Sequence, residues 1–336
     1  MINIEPFIQK VLRTIAAHRT GQPGGYRRML ADPPHEAELY GTADAAILLY
    51  TLGELPAPGS AEHGGLIRTL QGFQREEDGM LPGAGHHAIH STAFAISALE
   101  LLDAKPLHPL KALHPLKELT GLAAFLDGLD WKQQPWGEST KGAGVYAALV
   151  LAEEADKAWE DWYFDWLWNE ADPETGLWRQ GAVTGRGDSA ADDGAPLFHH
   201  LAGSFHYLFK QDYRKRRLRY PEPLADTCLT LFQSGQIPLS KGAFSFVELD
   251  VLYLVVSVIE QTSHRAEELK EMVQAIGGHL LEFIAVCAEE QADEVYEDLH
   301  TLCGSVCALA IVQSVLPEQV QADRVLNKVL DRRPFI

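Results

Sequence analysis

Residues 301–316 read TLCGSVCALAIVQSVL, and residues 155–170 read ADKAWEDWYFDWLWNE. Both have helical length, but the first is apolar or small on nearly every side, whereas the second sets acids and a lysine against a stripe of aromatics. A helix that is apolar all round lies inside a domain, and one with a polar face coats it. The contrast recurs along the chain. STAFAISALELL (91–102), KGAGVYAALVLA (141–152) and VLYLVVSVI (251–259) are of the inner kind, and HRAEELKEMVQAI (264–276) is of the outer kind.

Apolar residues at three and four spacing predict twelve helices alternating between the two kinds. Outer helices are expected at 4–18, 62–74, 116–128, 156–170, 222–233 and 264–289, and inner ones at 38–53, 90–103, 140–154, 197–213, 246–261 and 300–315. Only short pieces near Gln180–Val183 read as strand. Six outer–inner hairpins predict an all-α fold, an (α/α)6 toroid forming one domain over 1–336, with inner helices parallel about a central axis. Recurring punctuation after outer helices supports a repeat: QREEDGML (74–81), DPETGLW (172–178) and QSGQIPLSKGAF (233–244) each close on glycine, any residue, then a bulky apolar one. In DPETG, Asp172 is suited to accept turn amides.

This punctuation of Gln or Asp, turn and Gly-x-Trp resembles that of the α/α toroids that include terpenoid cyclases and protein prenyltransferase β subunits. The six-hairpin count also resembles toroidal glycosidases, polysaccharide lyases and sugar epimerases. The resemblance covers nearly the whole chain at the level of repeat architecture. The cyclase DxDD motif is absent, since FVELD (246–250) orders its acids differently, and the prenyltransferases' Asp, Cys and His zinc set does not assemble.

Against 28 basic residues stand 47 acidic ones, a net charge of −19. That field repels phosphate backbones and anionic lipid, so neither nucleic acid nor a membrane surface is an expected partner. The basic exception is YRKRRLR (213–219), which reads as a solvated helix end. No uninterrupted apolar run reaches about 18 residues. MINIEPFIQKVLRTIAAHRTG shows no signal peptide, which points to a cytoplasmic protein. Cys228, Cys287, Cys303 and Cys307 sit in apolar stretches and read as buried thiols.

In an alternating ring, every outer-to-inner link emerges at the same end. These are the long links, 19–38, 75–90, 129–139, 171–197, 234–246 and 290–300, and long loops on one face of a scaffold are where binding is built. Inner-helix N-termini there favour an anionic or oxygen-rich ligand. Tyr40 and Asp44 open the second helix, and His86, His87 and His90 the fourth. Trp136 and Glu138 open the sixth, His199, His200 and His206 the eighth, Glu248 and Asp250 the tenth, and Asp298 and His300 the last. Ser91, Thr92, Ser139, Thr140 and Ser245 read as helix caps, and His108 and His114 as a surface linker.

No metal or other cofactor is expected. There is no HExxH pattern, and although His300, Cys303 and Cys307 share a helical face, their surroundings are those of a packed core. The carboxylates fit a sugar-cleaving reaction, which needs one protonated and one ionised group. Candidates are Asp44, Glu138, Glu248 and Asp250, with Asp188, Asp192 and Asp193 on the long loop; Glu138 with Asp44 or Asp250 forms the expected pair. Glu248 and Asp250 are two apart and do not face the same way. Tyr40, Trp136, Trp178 and Phe198 would provide platforms for sugar rings, with histidines bonding hydroxyls. The expectation is a carbohydrate-active hydrolase or lyase acting on a small-molecule or oligosaccharide ligand. The alternatives are an isoprenoid-binding toroid with a dry aromatic chamber, or a non-catalytic peptide binder with a shallow surface.

Overall fold

A computed structural model describes residues 1–183, 194–289 and 294–336, so Asp188, Asp192 and Asp193 lie outside the described residues. The protein is all-α, with twelve α-helices among the described residues. The inner set is α2 (Leu39–Thr51), α4 (Ala88–Leu101), α6 (Pro135–Leu151), α8 (Leu197–Tyr213), α10 (Val247–Gln261) and α12 (Leu299–Val315). Between them come α1 (Glu5–Ala17), α3 (Ala61–Gly72), α5 (Leu119–Asp127), α7 (Lys157–Glu170), α9 (Pro221–Gln233) and α11 (Ala266–Glu289). Each inner helix packs on the next, and α12 packs back on α2, closing the circuit.

The all-round apolar sequences explain this circuit. Every residue of α12 from Leu302 to Val312 is buried, and full burial of each large apolar side chain is worth about 1.5–3 kcal/mol. Small residues set the spacing. A Cβ on Gly142 would lie 2.1 Å from the Tyr207 hydroxyl, and one on Gly304 would lie 2.8 Å from the Phe246 ring.

The turns after outer helices are built as clasps. The Gln74 amide donates to the Gly79 and His108 carbonyls and accepts from the Leu107 and His108 amides. Asp172 Oδ1 accepts from the Glu174 and Thr175 amides and the Thr175 hydroxyl. Each clasp ends on a left-handed glycine, Gly79 (φ +77°) or Gly176 (φ +72°), whose missing side chain lets the turn seat against the following hairpin. A Cβ there would lie 1.9 Å from the Pro109 carbonyl oxygen or 2.6 Å from that of Tyr220. Gly24 in QPGGY makes the same close approach to Leu66, a further instance that the spacing did not suggest. The Gln233–Phe244 stretch differs, because Gly235 and Gly242 have positive φ but no neighbour within 4 Å.

At the other end of the inner helices the caps repeat. Gly53, Asp103, Glu153 and Lys215 all adopt positive φ just past α2, α4, α6 and α8. In each case the following residue donates its N–H five residues back, to Leu49, Leu99, Leu149 or Gln211, which is the Schellman arrangement. Only the first uses glycine, so the repeat is hidden in the sequence.

Several expectations need correction. Gln180–Val183 forms no strand; the extended signal there is the isolated bridge between Ala171 and Trp178 that closes the Asp172 turn. The one sheet among the described residues pairs β1 (Ile2–Asn3) in parallel with β2 (Val320–Gln321). α6 begins at Pro135, because proline suits a first turn, and this puts Ser139 and Thr140 inside the helix. α4 begins under His87, whose Nδ1 accepts from the Ile89 amide at 3.2 Å, so Ser91 and Thr92 are not its caps. By length and composition α11 could cross a bilayer, although no uninterrupted apolar run pointed to it; here it packs on α1, α9, α10 and α12.

After α12, residues 329–336 turn back into the ring. Arg333 and Phe335 are fully buried there, and the buried Lys210 donates to the His206 and Pro334 carbonyls.

Candidate functional site

A cavity of about 670 Å³ opens where the inner helices begin. The link before α4 contributes His86 and His87 and α4 itself His90, α6 contributes Trp136 and Thr140, and α8 contributes His199 and His206. Asp250 comes from α10 and His300 from α12, and Ile336 of the returning segment also reaches the wall. Residues from five inner helices and the links that precede them thus meet at one cavity.

His300 is the best-defined group. Its Nδ1 lies 3.1 and 3.2 Å from the two oxygens of Asp44, which is itself fully buried. Nδ1 is thus the ring nitrogen turned to the carboxylate, and Nε2 is the one left for the cavity. Asp44 therefore stands behind the histidine rather than in the wall. The backbone is held by Asp298, which accepts from the His300 amide at 2.9 Å and takes a two-pronged ion pair from Arg28, both contacts 3.0 Å. This pair joins the first outer-to-inner link to the last. A bidentate arginine contact fixes geometry as well as energy.

Tyr40 organises the opposite flank. Its hydroxyl lies 2.7 Å from His90 Nδ1 and 3.1 Å from Ser91 Oγ, and its ring meets that of His300 edge-on, with centroids 5.0 Å apart. His86 stacks on His90 at 4.6 Å and lies 5.5 Å from His300. Burial, with the neighbouring histidines, holds His90 well below its ordinary value, and burial likewise lowers His86. His206 donates from Nδ1 to Ser139 Oγ at 2.8 Å, because Ser139 spends its own proton on the Trp136 carbonyl. Burial pushes His206 down to about 3, so its free nitrogen is a neutral acceptor at physiological pH.

Asp250 is the complement. It is 1% exposed, and its Oδ2 has no hydrogen-bond partner among the described residues. Burial, with the Glu248 charge nearby, pushes its carboxyl well above the usual range. Its surroundings therefore favour the protonated form over the charged one.

Other sequence candidates lie elsewhere. Glu248 turns away from the cavity and is satisfied by the Ser240 amide and by the Ser240 and Ser245 hydroxyls. Glu138 pairs with Lys141 at 2.5 Å and does not line the cavity. Trp178 is 2% exposed and bonds the Leu167 carbonyl, which makes it a core anchor rather than a platform. His200 is fully buried near Trp178 and Asp172, on a different side of α8 from His199 and His206. Phe198 packs edge-on against Trp136 at 5.7 Å. Cys303 and Cys307 are buried in the core, and no described group of three or more His, Cys, Asp or Glu residues has metal-ligand geometry.

Sequence reasoning missed Gln133, Gln134, Phe205, Phe246 and Ile336, all in the cavity wall, and Arg28 behind it. Gln133 and Gln134 stand directly before α6 and were legible from its proline start; nothing in the sequence marks Ile336. No protein-family model matches the chain, and no curated protein matches it.

Proposed function

We propose that the closed circuit of inner helices is an (α/α)6 toroid whose mouth holds the active site of a carbohydrate-active enzyme, of lyase rather than hydrolase type. The observation that carries this is an aspartate-oriented histidine, His300 on Asp44, in one cavity with the buried carboxyl of Asp250, whose Oδ2 has no hydrogen-bond partner among the described residues. His300 Nε2 is the base, taking a proton from a carbon next to a carboxylate or carbonyl. Asp250 is the acid, giving its proton to the departing glycosidic oxygen as the carbon–oxygen bond breaks and a carbon–carbon double bond forms. General acid and base groups of this kind each supply about 10²–10⁴-fold.

Hydrolysis in its usual form would need two carboxyl groups flanking one bond. Of the four candidates among the described residues, Asp44, Glu138, Glu248 and Asp250, only Asp250 lines the cavity, which is why elimination is the preferred reading. The wall combines six histidines, two glutamines and a threonine with the apolar Trp136, Phe205, Phe246 and Ile336; the polar groups favour a hydroxylated ligand over an isoprenoid.

The test is incubation with uronate-containing oligosaccharides, following the ultraviolet absorbance of an unsaturated product alongside new reducing ends. Reducing ends without absorbance would instead mean hydrolysis. Full activity in both His300→Ala and Asp250→Asn would sink the assignment of residues.

A further inference from the structure

A second cavity, of about 590 Å³, opens at the far end of the inner helices, between the C-terminal parts of α8, α10 and α12 and residues 328–331. Its depth is apolar, with Leu249, Ile311 and Leu330. Its rim receives Lys215, Arg216 and Arg217, the centre of the one basic run in a chain of net charge −19. The neighbours in that run are committed: Arg214 pairs with Glu160, Arg216 with Asp161, and Arg219 bonds the Trp168 carbonyl. The side chains of Lys215 and Arg217 have no ion pair or hydrogen bond among the described residues.

Two uncommitted cations over an apolar shaft match a ligand with one anionic head and one apolar body. Desolvation of the body gives affinity, and the head keeps a favourable charge at the rim. The cavity also carries acids. Asp212 takes a hydrogen bond from Ser257 at 2.8 Å and burial raises it to about 6, Asp331 pairs with Lys328 at 3.1 Å, and Glu260 stands exposed. A cationic amphiphile is therefore the competing ligand, and the test must separate the two.

We infer that this far cavity is a binding site for an amphipathic anion, a carboxylate or phosphate head on an aliphatic or aromatic body, with Lys215 and Arg217 holding the head. The site is independent of the histidine cavity and of the reaction proposed there. Its test is calorimetric titration of the full chain with octanoate, octyl phosphate, octylamine and acetate. Octanoate or octyl phosphate should bind, the stronger of the two identifying the head, while acetate and octylamine should not.

The double variant Lys215→Gly with Arg217→Ala should weaken binding by roughly tenfold or more. Glycine suits position 215, where φ is +53°, so the charge is removed without backbone strain. Ile311→Trp, filling the shaft with the rim intact, should weaken binding to a similar degree. The inference fails if octylamine binds as tightly as octanoate, if neither anion produces heat, or if the double variant, folded by circular dichroism, binds unchanged.

Discussion

At the mouth, α4 starts under a histidine, α12 under an aspartate clamped by Arg28, and α6 on a proline, each reached by a different link. At the far end, α2, α4, α6 and α8 all stop in the same left-handed cap, with the same five-residue-back hydrogen bond. Four of the six inner helices thus share one kind of ending, whereas α10 and α12 end on Thr262 (φ −146°) and Leu316 (φ −128°). Uniform caps satisfy backbone groups and leave little room for variation, whereas irregular starts present different side chains toward a shared space. The histidine cavity lies at the irregular end.

The largest way to break this comparison is at the mouth. If the proposed elimination is right, Asp44→Asn or His300→Ala should cost about 10³-fold or more in turnover with the fold intact, because each removes the base assigned to it. Circular dichroism and turnover measured on the same preparation check it; a large loss of structure in Asp44→Asn would make the dyad architectural. Next come the clasps. Gly176→Ala forces a Cβ against the Tyr220 carbonyl at a positive φ and should destabilise by about 3 kcal/mol in urea unfolding.

The two ends should also answer pH in opposite senses. His206, held down to about 3 by burial, gives stability that is complete above its unfolded value near 6.5 and is lost as the pH falls through about 3. Asp212, raised to about 6, gives stability that is complete below its unfolded value and is lost as the pH rises through 6. Urea midpoints should therefore fall on acidification in Asp212→Asn more steeply than in the parent protein, and less steeply in His206→Gln. The smallest effect belongs to the caps: Asp103→Gly or Glu153→Gly should stabilise by about 0.5–1 kcal/mol and leave turnover unchanged.

The two ends also differ in how legible they were. Helix number, alternation and the mouth itself follow from periodicity, because inner helices are apolar all round and their long links share one end. His199 and His206 are seven apart and so share a face, while His200 is turned by about 100°; that spacing was readable and separates cavity from core. Trp178 was misplaced, although its counterpart after the Gln74 clasp, Leu81, is plainly a core residue. The far-end caps were invisible because Asp103, Glu153 and Lys215 stand where glycine would have signalled the turn. Asp44 could be named but not its role behind His300, which depends on the contact between α12 and α2, segments separated by most of the chain.

That contact between α12 and α2 has a consequence for how the molecule opens. An open stack of repeats frays from its ends, and its middle is the most protected part. Here each inner helix has two inner neighbours, so none is terminal, and parting any one contact exposes two faces at once. Amide exchange should therefore be about equally slow in all six inner helices, with a single cooperative unfolding event in place of progressive loss from one side.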